Sequence, residues 1–212
     1  MYLALVANSA NAQFNIEKIH KNTLVSSLDN SRENFVLWQS MLQSLSNSSV
    51  KDKLKSVNQF FAKTLRYRID TKLYGVEDYW APLSETIMRG AGDCEDFAIA
   101  KYFSLKKLGV EGDKLRLIYV KSRLVGSPRN VYQAHMVLGY FDTPDADPYI
   151  LDSLTPVIHR LSKRDDLVVK YSFNSEFLWV GKASLKLSES PNVKLAKWQA
   201  VLQQQTSVLL KS

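Results

Sequence analysis

The sequence predicts an α+β fold, with helices first and an antiparallel sheet after them. Three observations carry that reading. Apolar residues recur at helical spacing up to about residue 109, alternate with a period of two from about 113 to 182, and return to helical spacing at about 192–210. Helices first and strands after them is the arrangement of an α+β domain, with the helix that starts near Asp93 placed to pack on the sheet. At 212 residues and 45% apolar content, one substantial core suffices, so residues 13–212 read as a single domain.

The first twelve residues, "MYLALVANSANA", carry no charged side chain and end in Ala10-Asn11-Ala12, the small-x-small pattern of a signal peptidase site. The charged n-region is missing, so the stretch reads as the remnant of a signal peptide, with Gln13 as the first mature residue. The alternative is an apolar N-terminal strand. No apolar stretch approaches the ~20 residues needed to span a bilayer.

Helical spacing begins in "SRENFVLWQSMLQSLS", where Phe35, Trp38, Met41, Leu42 and Leu45 form one stripe and Ser31 or Asn34 can cap it. A second stripe of Val50, Leu54, Val57, Phe60, Phe61 and Leu65 makes a helical hairpin with it. After an irregular stretch containing Gly75 and Pro82, a short helix "LSETIMRG" ends at Gly90. A third long helix starts near Asp93 and stops at Gly109, burying Phe97, Ala98, Ala100, Tyr102, Leu105 and Leu108. Strands follow in "KLRLIYVKSR", "VYQAHMVLGYF", "PYILDSL", "LVVKYSF" and "EFLWVG". A C-terminal helix presents Trp198, Val201 and Leu202 on one face.

The net charge of +7 does not indicate nucleic-acid binding: no basic run exceeds Lys106-Lys107 or Lys163-Arg164, and no binding signature accompanies them. A basic surface suits an acidic partner or an anionic membrane. A single cysteine excludes an internal disulfide, and one cysteine with three scattered histidines lacks the ligand spacing of a zinc site.

That cysteine, Cys94, lies in "RGAGDCEDFAIAKYF", at a helix start where unpaired N–H groups and the helix dipole favour a thiolate. The Gly90-Ala91-Gly92 turn before it lets the backbone come close to a substrate. A thiolate nucleophile needs an imidazole. His20 lies in a polar stretch and His159 in an exposed turn, whereas His135 lies mid-strand and shares a face with Val137 and Gly139. On the next strand Asp152 follows three apolar residues, where a carboxylate is costly unless paired. A hairpin of these two strands sets Asp152 beside His135, able to hold its tautomer and orientation. The Cys94 N–H is the natural first oxyanion donor, and the Trp80 indole is a side-chain candidate whose other role is packing. Asp93, Glu95 and Asp96 oppose ionisation of Cys94 unless a cation neutralises them. Their oxygens suit a hard cation such as Ca²⁺, or else simply stabilise the helix start.

"GDCEDFA", "AHMVLGY" and "YILDSL", in this order, resemble the bacterial transglutaminase-like cysteine proteinases, the LapG-type periplasmic proteases. The resemblance spans roughly residues 30 to 185 and includes "DYWAPLSETIMRGAG". It implies a papain-like core in which the nucleophile helix packs on the antiparallel sheet. In it Cys94 is nucleophile, His135 general base and acid, and Asp152 orienter. It also implies calcium at Asp93 and Glu95, then at Asp96. The implied activity is cleavage of a large surface adhesin near its N-terminus, at a dialanine, with release of cells from a biofilm. The implied regulator is an inner-membrane receptor of LapD type that senses cyclic di-GMP. A transamidase using the same acyl-enzyme, and a receptor-binding module without catalysis, are the alternatives.

Overall fold

The computed structural model of the chain describes residues 30–124, 126, 131–180, 183–186 and 193–209. The leader expected at residues 1–12 and His20 lie outside the described residues. Helix α1 covers 30–44 and α2 covers Val50–Thr64. Ser49 accepts the Asp52 N–H at 3.2 Å and so satisfies one of the donors left unpaired at the start of α2. Leu54, Val57 and Phe61 lie on the buried face of α2, as their spacing predicts.

The stretch read as irregular holds two short elements, β1 (Arg66–Tyr67) and α3 (Asp70–Leu73), and the predicted short helix α4 (Leu83–Arg89) follows it. Gly90 ends α4 with φ of 61°, a left-handed conformation that a Cβ would strain. Ala91–Gly92 then form β2, which pairs in parallel with β1, Arg66 opposite Ala91 and Tyr67 opposite Gly92. The expectation that this turn approaches a substrate is corrected. Both residues of β2 are buried, and a Cβ on Gly92 would lie 2.6 Å from Cβ of Asp96. The missing side chain makes room for the protein's own carboxylate.

Helix α5 (Cys94–Lys107) follows directly. It is buried nearly all round, which explains why its apolar residues do not make a single stripe. The strands are β3 (Leu115–Arg123), β4 (Tyr132–Tyr140), β5 (Tyr149–Leu151), β6 (His159–Arg160), β7 (Leu167–Phe173), β8 (Phe177–Val180) and β9 (Ala183–Lys186). They form one sheet in the order β6-β5-β4-β3-β7-β8-β9, with every pairing antiparallel. β6 and β9 were not predicted: β6 has two residues, too few to show a period. Helix α6 (Val193–Leu209) ends the described chain.

The main core lies between the helices and one face of the sheet. Phe61 of α2, Phe97 and Tyr102 of α5, and Leu117, Leu138 and Phe173 of the sheet meet there. Trp198 of α6 is fully buried against Tyr102 and Phe173, and its indole donates to the Asn174 carbonyl at 2.8 Å. A smaller layer of Ile118, Val120, Val137, Ile150 and Leu167 covers the other face. Helix α5 packs on β4 and β3, which sets the cysteine at its first residue against the middle of the sheet. No described helix is long and apolar enough to cross a membrane.

Candidate active site and acidic cluster

The site forms where the sheet opens. β5 pairs with β4 only as far as Leu151 opposite Leu138. Beyond that point the edge of β4 is free to meet other groups, and His135 and Met136 lie there. Continuing the same register sets Asp152 opposite Val137, on the face His135 shares. Asp152 Oδ1 lies 2.7 Å from His135 Nε2, with both side chains essentially excluded from solvent. Asp152 also accepts the Leu154 N–H at 3.0 Å and one N–H of Arg164 at 2.7 Å. Burial alone would raise its carboxyl, yet the hydrogen bond and charge of His135, the Leu154 N–H and Arg164 together hold it well below the usual carboxylate range. An ionised carboxylate only accepts, so Nε2 carries the imidazole proton and Nδ1 is left as the acceptor.

Cys94 enters the same cleft from the start of α5, taking the Met136 backbone N–H on its sulfur. The cleft has a volume of about 350 Å³ and is lined by Tyr67, Trp80, Cys94, Tyr119, His135 and Met136 among others. The sequence-predicted trio is thus brought to one place: Cys94 and His135 face the cleft, and Asp152 stands behind the histidine. A thiol and an imidazole held by a carboxylate, lining one cleft, are the groups with which a protein can deprotonate a sulfur nucleophile and later return the proton.

The surroundings oppose ionisation of the thiol. Its pKa is pushed well above the ordinary cysteine value by burial first, then by the charge and hydrogen bond of Glu95 and the charge of Asp93. Sγ donates to Glu95 Oε2 at 3.0 Å. The acids are under the same pressure. Burial and the neighbouring carboxylates raise Asp93 to about 9, and burial raises Asp96 to about 8 even though it accepts the Ala81 N–H at 2.8 Å and the Asp93 N–H at 3.3 Å.

Asp70, which sequence reading missed, completes the cluster. It is buried, accepts the Tyr79 N–H through Oδ2, and is raised to about 6, chiefly by desolvation. Carboxylate oxygens of Asp70, Asp93 and Asp96 lie within 4.8 Å of one another, as do ligand atoms of Asp93, Cys94 and Glu95. Asp70 Oδ1 and Asp93 Oδ1 are buried with no hydrogen-bond partner. Uncompensated buried oxygens in an all-carboxylate set fit a hard cation, whose charge removes the repulsion that burial imposes on them. Asp96 therefore belongs in this oxygen set with Asp93, while Glu95 faces the thiol.

Trp80 lines the cleft, but its indole N–H donates to Asp78 Oδ1 at 3.0 Å and its ring stacks on Phe173. The side-chain oxyanion donor expected of it is thereby committed elsewhere. Arg164 and Lys101, both in contact with Asp152, were also missed. Arg164 stands in the charged run "SKRDD", which reads as a solvated turn, and Lys101 in the middle of an apolar helix. The exposed His159 plays no part in the cleft.

Residues 39–182 match the family described as bacterial transglutaminase-like cysteine proteinase. Among solved structures the chain is similar to Legionella pneumophila LapG, with 41% identity and a TM-score of 0.69 over 82% of this chain and 88% of that one. It is also similar to the calcium-bound form of that protein, with 39% identity and a TM-score of 0.71 over 90% and 98% of the two chains. An EGTA-treated form gives 40% identity and a TM-score of 0.70 over 82% and 89%. No curated protein matches the chain.

Proposed function

Since the chain belongs to the bacterial transglutaminase-like cysteine proteinases, we propose that it is a calcium-dependent endopeptidase whose nucleophile is Cys94. The observation that carries this reading is the buried His135–Asp152 pair at 2.7 Å, opening on the cleft that holds the cysteine. His135 Nδ1 takes the thiol proton, and Sγ attacks the carbonyl carbon of a peptide bond. The Cys94 N–H, at the start of α5, is the first donor to the oxyanion. The imidazolium, steadied by ionised Asp152, returns its proton to the departing amine as the carbon–nitrogen bond breaks. A thioester remains. Water, deprotonated by His135, then adds to the thioester carbonyl and releases the acid and the free cysteine.

Asp70, Asp93 and Asp96, with Glu95 beside them, are the residues that would hold calcium. A bound cation offsets the carboxylate charge next to the thiol and so favours the thiolate. The calcium-bound and EGTA-treated states of the LapG relative support calcium as the ion.

The substrate is a large surface adhesin cut near its N-terminus at a dialanine, in the periplasm. The outcome is release of cells from a biofilm, held in check by an inner-membrane receptor of LapD type that senses cyclic di-GMP. These assignments rest on the family. The test is incubation with the N-terminal fragment of a candidate adhesin, read by mass spectrometry, in calcium, in chelator, and with Cys94→Ala. Cleavage at one bond by the wild type in calcium alone is the expected result. A cross-linked product would mean transamidation, and stable co-purification without either product would mean a binding module.

A further inference from the structure

The geometry points to Arg164 as the residue that positions Asp152 for catalysis, and we propose it as part of the machinery of the hydrolase reading above, on which the inference rests. Arg164 follows the short 3-10 turn Leu161–Lys163 and is 9% exposed. One nitrogen, Nη2, lies 2.7 Å from Asp152 Oδ2. Nε and the same Nη2 each lie 2.8 Å from an oxygen of Asp166, a two-point grip that fixes the plane of the guanidinium.

The consequence falls on the two oxygens of Asp152. Oδ1 serves His135 and the Leu154 N–H, while Oδ2 has Arg164. A carboxylate with nothing on Oδ2 can turn about its last bond and take the imidazole with it. With Arg164 in place, rotation breaks a charge-assisted bond, so the ring is held in one orientation, with Nε2 on Asp152. Arg164 also supplies the counter-charge that a fully buried carboxylate requires. Asp152 stays ionised and the catalytic proton stays on His135, while Asp166 partly balances the added positive charge. The main chain of Asp152 is fixed separately: its carbonyl accepts the buried Lys101 ammonium of α5 at 2.9 Å, tying the loop after β5 to the nucleophile's own helix.

Arg164 does not line the cleft, so it acts through Asp152 and touches no substrate. Its other side borders a separate cavity of about 450 Å³ lined by Ser122, Gln133, Thr155 and His159. That cavity makes a chemical test possible, because a small cation can replace a deleted guanidinium.

The readout is the rate of Cys94 alkylation by iodoacetamide at neutral pH in calcium, which needs no peptide substrate. For Arg164→Ala the rate falls by about 10–100-fold, the scale of a partner one step removed from the reacting groups. Near-UV circular dichroism stays that of the wild type, and millimolar guanidinium restores most of the rate. Asp166→Asn, which loosens the grip without leaving a buried carboxylate unpaired, falls less but in the same direction. A folded Arg164→Ala chain that alkylates at the wild-type rate overturns the proposal, as does a lost rate that guanidinium does not restore. Should Arg164→Ala not fold, Asp166→Asn decides: a wild-type rate overturns the assignment and a reduced one upholds it. A wild-type chain that alkylates no faster than glutathione fails at the earlier step, the protease reading itself.

Discussion

Asp70 changes the chemistry of the acidic cluster more than any residue flanking the cysteine. Two carboxylates at the start of α5 could be helix-start acids, stabilised by the dipole and by the Asp93–Asp96 capping contact. A third opens a different element, the four-residue α3, and its burial with one oxygen lacking any hydrogen-bond partner goes beyond what a helix start requires. Asp70→Asn is therefore expected to weaken calcium binding by about tenfold or more, since ligand charge sets affinity in such sites. Isothermal titration measures it. Unchanged affinity would return Asp70 to holding the Tyr79 N–H and leave the metal to α5 alone. Nothing in "RYRIDTKLYG" could have pointed to Asp70, because a charged residue between Ile69 and Thr71 in an aperiodic stretch reads as solvated. Cys94, His135 and Asp152 were legible for the opposite reason: each interrupts or opens a strongly apolar pattern, where a polar group requires a partner.

At the scale of elements, legibility followed length. α2, α5, β3 and β4 run long enough for a period of 3.6 or 2 to show, and they lie close to where the spacing set them. The two-residue strands β1 and β2 left no period, yet they align the region before the cysteine. Their parallel pairing fixes Gly92 beside Tyr67, and Gly92 in turn accommodates the Asp96 carboxylate. Glycine in "GAGDCED" was visible, but its reason was not. The sequence suggests space for an incoming chain, whereas the structure shows space taken by a carboxylate from the next helix. The hairpin β4–β5 was legible as a pair, and its early end at Leu151 was not. That early end is what exposes the β4 edge to the cysteine. Arg164 escaped notice because "SKRDD" has the composition of a turn, and only the fold sets that turn behind Asp152.

For the whole molecule, the cluster is a store of unfavourable charge, and stability should report it. Asp70, Asp96 and Asp93 are raised from an ordinary value of 3.8 to about 6, 8 and 9. Groups raised in the folded state bind protons on folding. Their contribution is complete below the ordinary value and is lost as pH climbs through the folded values. With the metal removed, the melting temperature is predicted to fall between pH 5 and pH 9, by about 5 °C or more for a domain of this size. Calcium binds the folded, ionised cluster and should flatten that slope. Differential scanning calorimetry in chelator and in calcium checks both halves. A slope unaffected by calcium would mean that the ion is not held by these acids. Lys101, buried in α5 and lowered to about 7 by desolvation, acts with the opposite sign above neutral pH.

The most direct test of the central claim, that a cation on these acids is what lets Cys94 act, is the pH dependence of Cys94 alkylation in the wild-type chain, with calcium and with chelator. In chelator the thiol is expected to react only at strongly alkaline pH, because burial, Glu95 and Asp93 hold its proton. In calcium the same thiol reacts at neutral pH. Superimposable curves in the two conditions would contradict that claim, leaving the acids as a structural feature of the helix start and the cysteine to be activated by His135 alone.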